Sequence, residues 1–264
     1  MANEQRFTGL AAAYTRARPD YPREAFEAMT AGLPRPIRAV DVGCGTGIST
    51  RRLADFADET TGVDPNREML EAARRASADA AARSVGDDGA RTPAAIRWHA
   101  APAESTGLAS VSFELVLAAQ AFHWFDPSKA LGEFHRLLVP GGRVALLWNL
   151  RDDRDDTTRA YSAITVPEAK RNLDATSLAA REDTGKPLAE SRRFRGYRRV
   201  EFTNEQRLDL AGVLDRAGSA SYYPRSGPDR VAADARLNDL FSRESRDGVL
   251  TLRYRVELHL AERA

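Results

Sequence analysis

Three glycines spaced two residues apart, Gly43, Gly45 and Gly47, follow the short apolar run Ile37 to Val42. An acid stands on either side of them: Asp41 just before the loop, and Asp64 17 residues after its last glycine. A Gly-x-Gly-x-Gly loop lets backbone come closer to a ligand than any Cβ would allow, and the helix behind it offers amide groups. A glycine turn after a strand is by itself only a turn; the acids give it chemistry. Asp41 can present a carboxylate to the cationic amino end of an amino-acid moiety, and Asp64, ending a second strand, can accept both hydroxyls of a ribose. Further along, His123 titrates near neutral pH and is the candidate general base, set against the plainer role of shaping a pocket beside Trp124. Trp124, Trp148 and Tyr222 are either core aromatics or walls of a binding pocket. His99, His135 and His259 read as structural, with His259 on the polar face of the last strand. Cys44 reads as a small buried residue of the loop, not a nucleophile.

The loop discriminates between ligands. A nicotinamide fingerprint is Gly-x-Gly-x-x-Gly, but that last position is Ile48 here and the third glycine comes one residue early. Asp41 would also sit awkwardly beside a pyrophosphate. The loop suits a ligand with a positive charge, one ribose and no phosphate, which S-adenosylmethionine satisfies. Two other readings stay open: a nicotinamide-dependent oxidoreductase, and a nucleoside-binding scaffold or regulator without catalysis.

These residues need strand ends and helix starts to hold them. Ile37 to Val42 reads as a buried parallel strand, with Leu53, Phe56 and Ala57 at helical spacing after it. Thr60 to Val63 is a second strand, and Pro65 starts a helix striped by Met69, Leu70, Ala73 and Ala76. Arg83 to Pro93 is a surface loop. Ile96 to His99 and Phe113 to Ala119 are the third and fourth strands. Leu131, Phe134 and Leu138 mark a helix stopped by Pro140-Gly141-Gly142, and Arg143 to Trp148 is the fifth strand. Val200 and Phe202 suggest a short strand, and helical patterns follow around Leu210 and Leu237. From Leu250 to Leu260, apolar residues alternate with polar ones, which predicts an antiparallel strand completing the sheet. The expected fold is α/β: a Rossmann-like, doubly wound, seven-stranded sheet, mostly parallel, with an antiparallel C-terminal strand and a helical cap. We divide the single domain into an N-terminal helical lid (1–36), a cofactor-binding core (37–149), a cap insertion (150–199) and a part completing the sheet (200–264).

With 264 residues and a net charge of +1, the chain carries no sustained basic run, which argues against a nucleic-acid partner. Only three of the 39 cationic residues are lysine, Lys129, Lys170 and Lys186. A polar N-terminus, no run of membrane-spanning length and one cysteine point to a cytoplasmic protein with no membrane partner. A second copy of the chain is a candidate partner, as a homodimer.

The motifs together resemble class I S-adenosylmethionine-dependent methyltransferases, in particular the methyltransferase type 11 group. Val40 to Gly47 is similar to the family's first motif and Gly62-Val63-Asp64-Pro65 to its ribose-binding motif. Pro102-Ala103-Glu104 resembles the adenine-flanking segment, Ala119-Gln120-Ala121-Phe122-His123-Trp124-Phe125-Asp126 the motif after strand four, and Leu138-Val139-Pro140-Gly141-Gly142 the turn before strand five. With Tyr14, Arg18, Pro19, Tyr21 and Pro22, the fourth motif is similar to the trans-aconitate methyltransferase-like subgroup. The resemblance implies that Tyr14 and Arg18 close over the cofactor, Ala103 and Glu104 flank adenine, Gln120 lies near the methionine part, and His123 points at a small-molecule acceptor. Gly43, Cys44, Gly45, Thr46, Gly47, Pro65, Met69 and Ala119 belong to the same expected cofactor set, and beside His123 the positions of Trp124, Trp148 and Tyr222 make them candidate acceptor walls or else core packing. Pro102 departs from the Asp that many relatives carry. Base-modifying amino methyltransferases carry Asn/Asp-Pro-Pro-Tyr/Phe where this chain reads Ala119 to Phe122, and metal-assisted enzymes want a carboxylate where Gln120 stands. The expectation is therefore methyl transfer from S-adenosylmethionine to a small organic acid or natural-product intermediate, without metal, leaving S-adenosylhomocysteine.

Overall fold

The computed structural model describes residues 18–84, 95–166, 185–220 and 223–264. Tyr14 and Tyr222, the lid before residue 18, nearly all of the loop expected over 83–93 and the middle of the cap (167–184) lie outside the described residues.

One sheet of seven strands organises the chain, in the order β3-β2-β1-β4-β5-β7-β6. Its parallel part is β1 (Arg38–Val42), β2 (Glu59–Val63), β3 (Ile96–His99), β4 (Phe113–Ala119) and β5 (Leu138–Arg151), while β7 (Leu250–Arg263) runs antiparallel to both β5 and β6 (Phe194–Leu208). The order reverses direction between β1 and β4, which opens the crevice at their carboxyl ends where ligands of doubly wound folds bind. The central strands are mostly apolar because both their faces are covered. Ala39, Leu115, Leu117, Ala145 and Leu147 face one side with Val256, Leu258 and Leu260, and Val40, Val42, Val116, Ala118, Val144, Leu146 and Trp148 face the other.

The first face is roofed by α1 (Arg23–Thr30) and α2 (Ile48–Ala54), through Phe26, Met29 and Leu53. The helix α3 (Arg67–Ser84) follows β2. The second face is roofed by α4 (Pro127–Leu137), whose start is fixed by Pro127 and by the Asp126 carboxylate accepting from the amides of Ser128 and Lys129 at 3.1 and 3.2 Å. Its Ala130, Leu131, Phe134 and Leu137 repeat at three- and four-residue spacing and are buried. A third core joins α5 (Asp156–Thr165), α7 (Leu210–Gly218) and α8 (Gly227–Glu244) to the ends of β6 and β7, through Tyr161, Val213, Leu237, Leu240 and Tyr254. The short α6 (Lys186–Ala189) packs against α4 and β6, and its Leu188 joins the core of the second face.

Three sequence expectations need correction. The strand expected around Val200 and Phe202 is 15 residues long and forms the sheet edge, while β7 lies inside the sheet. The Pro140-Gly141-Gly142 turn lies within β5, where the pairing with β4 shifts register between Phe113 and Leu115. The alternating last strand is not half-solvated along its length: Glu257 and His259 are each 2% exposed.

Candidate functional site

The glycine loop leaves β1 and bends at once onto β2, because the amides of Gly43 and Cys44 both donate to the Val63 carbonyl, at 2.8 and 3.0 Å. All three glycines have positive φ, and between them they do two different jobs. A Cβ on Gly43 would lie 2.6 Å from Ala121 and 2.9 Å from the Phe125 ring, and one on Gly47 would lie 2.5 Å from the Trp98 ring. Those two glycines let the loop pack against protein. Gly45 has nothing within 4 Å of its Cβ position, so the middle of the loop faces open space.

Asp41 does not lie open at the loop surface as the sequence suggested. It is wholly buried beneath α2, and its Oδ2 accepts hydrogen bonds from the hydroxyls of Ser49 and Thr50 at 2.7 and 2.6 Å. Oδ1 is buried with no hydrogen-bond partner among the described residues. Burial pushes its carboxyl up to about 6, against the pull of Thr50 and Ser49 and with a small push from the Asp64 charge. Asp64 is half-buried; one oxygen accepts from the Gly45 amide and the other from the Asn66 amide, each at 2.9 Å. Thus the second acid holds the open part of the loop. Thr46 is buried within the loop, and Cys44 has its thiol pushed up by burial and by the charges of Asp41 and Asp64, against nucleophilic use. Pro65 is exposed, and Met69 is buried against Ala72.

Beyond β4, Ala119 is buried and Gln120 adopts φ +53°, a conformation rare for a side chain with a Cβ. Two hydrogen bonds hold it there: its amide donates to the Leu147 carbonyl at 2.8 Å and its Nε2 to the Asn149 carbonyl at 2.7 Å. The kink carries the chain into a single 3-10 turn, Phe122–Trp124, with Phe122 buried below and His123 and Trp124 outside. The His123 and Trp124 rings lie 4.9 Å apart, and Trp124 is 37% exposed. Glu104 fastens this turn by accepting from the Asp126 amide at 2.9 Å, and Ala103 packs into the core beside it. Arg18 donates to the Ser219 carbonyl at 3.3 Å, while the Asp20 carbonyl receives Asn149 and Asn204 at 3.0 and 2.7 Å.

The described loop, Asp41, Asp64, Glu104 and the turn after β4 therefore converge at one end of the sheet. Trp148 is not an open wall there: it is 2% exposed, packed in the second core and edge-on to His259 at 5.5 Å. A separate depression of about 580 Å³ lies beside the amino ends of β1 and β2, and its Arg38 and Arg97 are already paired with Glu114 and Glu59. Among the described residues no group of three His, Cys, Asp or Glu side chains could hold a metal ion, and no helix is long and apolar enough to cross a membrane.

Residues 40–146 match the family model described as a methyltransferase domain. An uncharacterized methyltransferase of Mycobacterium tuberculosis is 33% identical over 216 residues, covering 82% of this chain and 76% of that protein. The chain belongs to the class I methyltransferase family. A malonyl-[acyl-carrier protein] O-methyltransferase of Enterobacter lignolyticus is 33% identical over 179 residues, 64% of this methyltransferase and 65% of its own length. The fold is shared with a solved candidate type II methyltransferase from Anaeromyxobacter dehalogenans, at a TM-score of 0.63 and 23% identity over 93% of this chain and 97% of that one.

Several residues that build this methyltransferase's site escaped the sequence reading. Ser49 and Thr50 look like ordinary first-turn helix residues, yet they hold Asp41; their spacing of eight and nine residues from it was the available signal. Trp98 looks like a strand aromatic, yet its ring fills the space that the missing side chains of Gly47 and Gly62 leave.

Proposed function

We propose that this methyltransferase takes its methyl group from S-adenosylmethionine and passes it to a small molecule. The observation that carries the reading is the loop itself: open at Gly45, with the Gly45 amide on Asp64 and, buried under the same turn, an Asp41 oxygen that has no partner among the described residues. A buried carboxylate oxygen without a donor is costly, and a cationic amino group is the partner it lacks. Both Asp64 oxygens already take an amide, but an ionised carboxylate has about four lone-pair sites, so ribose hydroxyls can add to them. Gly43, Cys44, Thr46, Gly47, Pro65, Met69, Ala119 and Gln120 would shape the remainder of the cofactor cleft, Ala103 and Glu104 its adenine end, and Tyr14 and Arg18 its cover. When bound, S-adenosylmethionine supplies an electrophilic methyl group on a cationic sulfonium, displaced at carbon with S-adenosylhomocysteine left behind.

His123 and Trp124 stand at the rim on the turn after β4, where an acceptor would enter. An acceptor that arrives as a carboxylate needs no base, and one that arrives as a hydroxyl can give its proton to His123. The name of the Enterobacter relative, a malonyl-[acyl-carrier protein] O-methyltransferase, supports an oxygen acceptor of organic-acid type. The test is methyl-labelled S-adenosylmethionine offered with malonyl thioesters, small organic acids, phenols and transfer RNA. Label is expected in a small organic product, and His123→Ala should lower kcat for a hydroxyl acceptor about 100-fold while leaving donor KM alone. Label in the RNA instead would contradict the substrate class.

A further inference from the structure

The far edge of the sheet is a long strand with a single partner. Among the described residues β6 pairs with β7 alone, and from Arg198 to Leu208 that pairing is regular, after a register shift between Arg195 and Arg198. No described strand takes the backbone groups on the outer side of β6, and such an edge is a template for another chain. Arg199, Glu201, Thr203, Glu205 and Arg207 are exposed on one face, and Val200, Phe202, Asn204 and Gln206 are half-buried on the other. Tyr197, at the head of the stretch, is 38% exposed.

Charge on a sheet edge ordinarily turns other strands away, but here it is sorted along the strand. Residues 192–199 carry five arginines and no acid, whereas residues 200–209 carry Glu201, Glu205 and Asp209 against one arginine, Arg207. Arg195, Arg198, Glu205 and Arg207 have no ion pair among the described residues, while Glu201 already meets Arg199 and Arg255. A strand of the same sequence laid antiparallel brings each basic half against the other copy's acidic half. Laid parallel, it would set like charges side by side.

Geometry narrows the register. A two-fold axis perpendicular to the sheet keeps residues of one face opposite each other, so only every second register is open. With Phe202 on the axis, Arg199 of each copy lies opposite Glu205 of the other, Glu201 opposite Thr203, Val200 opposite Asn204 and Arg198 opposite Gln206. A slide of two residues one way sets Glu201 against its own copy; the other way it sets Arg199 against Arg207 and Glu201 against Glu205. Of the registers left, this one alone puts Phe202 against its own copy, an aromatic pair over the axis. We propose that β6 pairs antiparallel with β6 of a second copy, centred on Phe202, joining two seven-stranded sheets into one. The crevice between β1 and β4 lies three strands away from this edge, so the proposal does not rest on the cofactor reading.

Analytical ultracentrifugation of the full chain, from about 1 to about 100 μM protein and at about 50 and 500 mM salt, tests it. The chain should reach twice its own mass at the upper concentrations and dissociate more readily at the higher salt. Glu205→Arg turns both Arg199–Glu205 pairs into like charges and should raise the dissociation constant about tenfold, with the circular dichroism of the chain unchanged. Phe202→Cys should join two chains under mild oxidation, because directly opposed residues lie about 4.5–5.5 Å apart at Cα, within disulfide reach. Thr203→Cys, set two residues away from its own copy, should not; buried Cys44 is the one other thiol. A chain that is still monomeric at about 100 μM overturns the proposal. A dimer indifferent to Glu205→Arg overturns it too, since the copies then meet elsewhere, and so does crosslinking through Thr203→Cys but not Phe202→Cys. Should Phe202→Cys fail to fold, Glu205→Arg and the salt dependence still decide.

Discussion

The Asp41 carboxyl is buried without a full set of partners among the described residues. Its folded value is about 6 against an ordinary 3.8, so the folded chain holds this proton more tightly than the unfolded one. By linkage, Asp41 then costs stability as pH rises from about 4 through about 6. Asp41→Asn should remove that slope, gaining on the wild type over the same window in urea denaturation at stepped pH. Cofactor affinity should run the other way. A cationic ligand favours the ionised carboxylate, so wild-type affinity should rise through pH 6, by about tenfold for each pKa unit the ligand restores, and the Asn variant should be flat. A wild-type affinity that is flat or falling there would remove Asp41 from the cofactor's amino end. Asp64 makes a simpler prediction. Asp64→Ala loses the anchor of the Gly45 amide and the acceptor for the ribose, and calorimetry should read a loss of about 10- to 100-fold in S-adenosylhomocysteine affinity. Both acids were legible in the sequence from their places beside the glycines. What was not legible was the burial of Asp41, which depends on hydroxyls that any helix start might carry.

The glycine loop separates packing from binding within a single element. Gly47→Ala puts a Cβ at φ +75° against the Trp98 ring and should cost about 2–5 kcal/mol of stability, as left-handed strain and overpacking add. Gly45→Ala meets only open space, so it should cost about 1–2 kcal/mol of strain and show its larger effect on cofactor affinity. Urea unfolding and calorimetry on the two variants give the contrast, and the reverse order would mean that Gly45 is not the open face. Among the strands, β6 shows the limit of sequence patterning. It presents Arg195, Arg198, Arg199, Glu201, Asn204, Glu205 and Arg207 along an exposed edge, where charge guards against pairing with unlike chains, so only Val200 and Phe202 carried a strand signal. The parallel strands, apolar on both faces, were readable to within a few residues for the opposite reason.

At the scale of the molecule, the sheet order brings one chain end to bear on the other. β7 enters between β5 and β6, so its Glu257 and His259 are covered on a face that the simple alternation of Leu250 to Leu260 assigned to solvent. Alternation reports two faces, not which of them is covered; that depends on α4, α6 and β6, which no local pattern reveals. The crevice at the carboxyl ends of the strands was readable because it follows from the reversal of strand order between β1 and β4. The same crevice serves nicotinamide and adenosyl cofactors in different proteins of this architecture, so the identity of the ligand is the central claim. The direct test is calorimetric titration of the purified chain with S-adenosylmethionine, S-adenosylhomocysteine and NADH. Micromolar-range binding of the first two with none for NADH is the predicted result; binding of NADH alone would contradict the roles given to Asp41, Gly45 and Asp64.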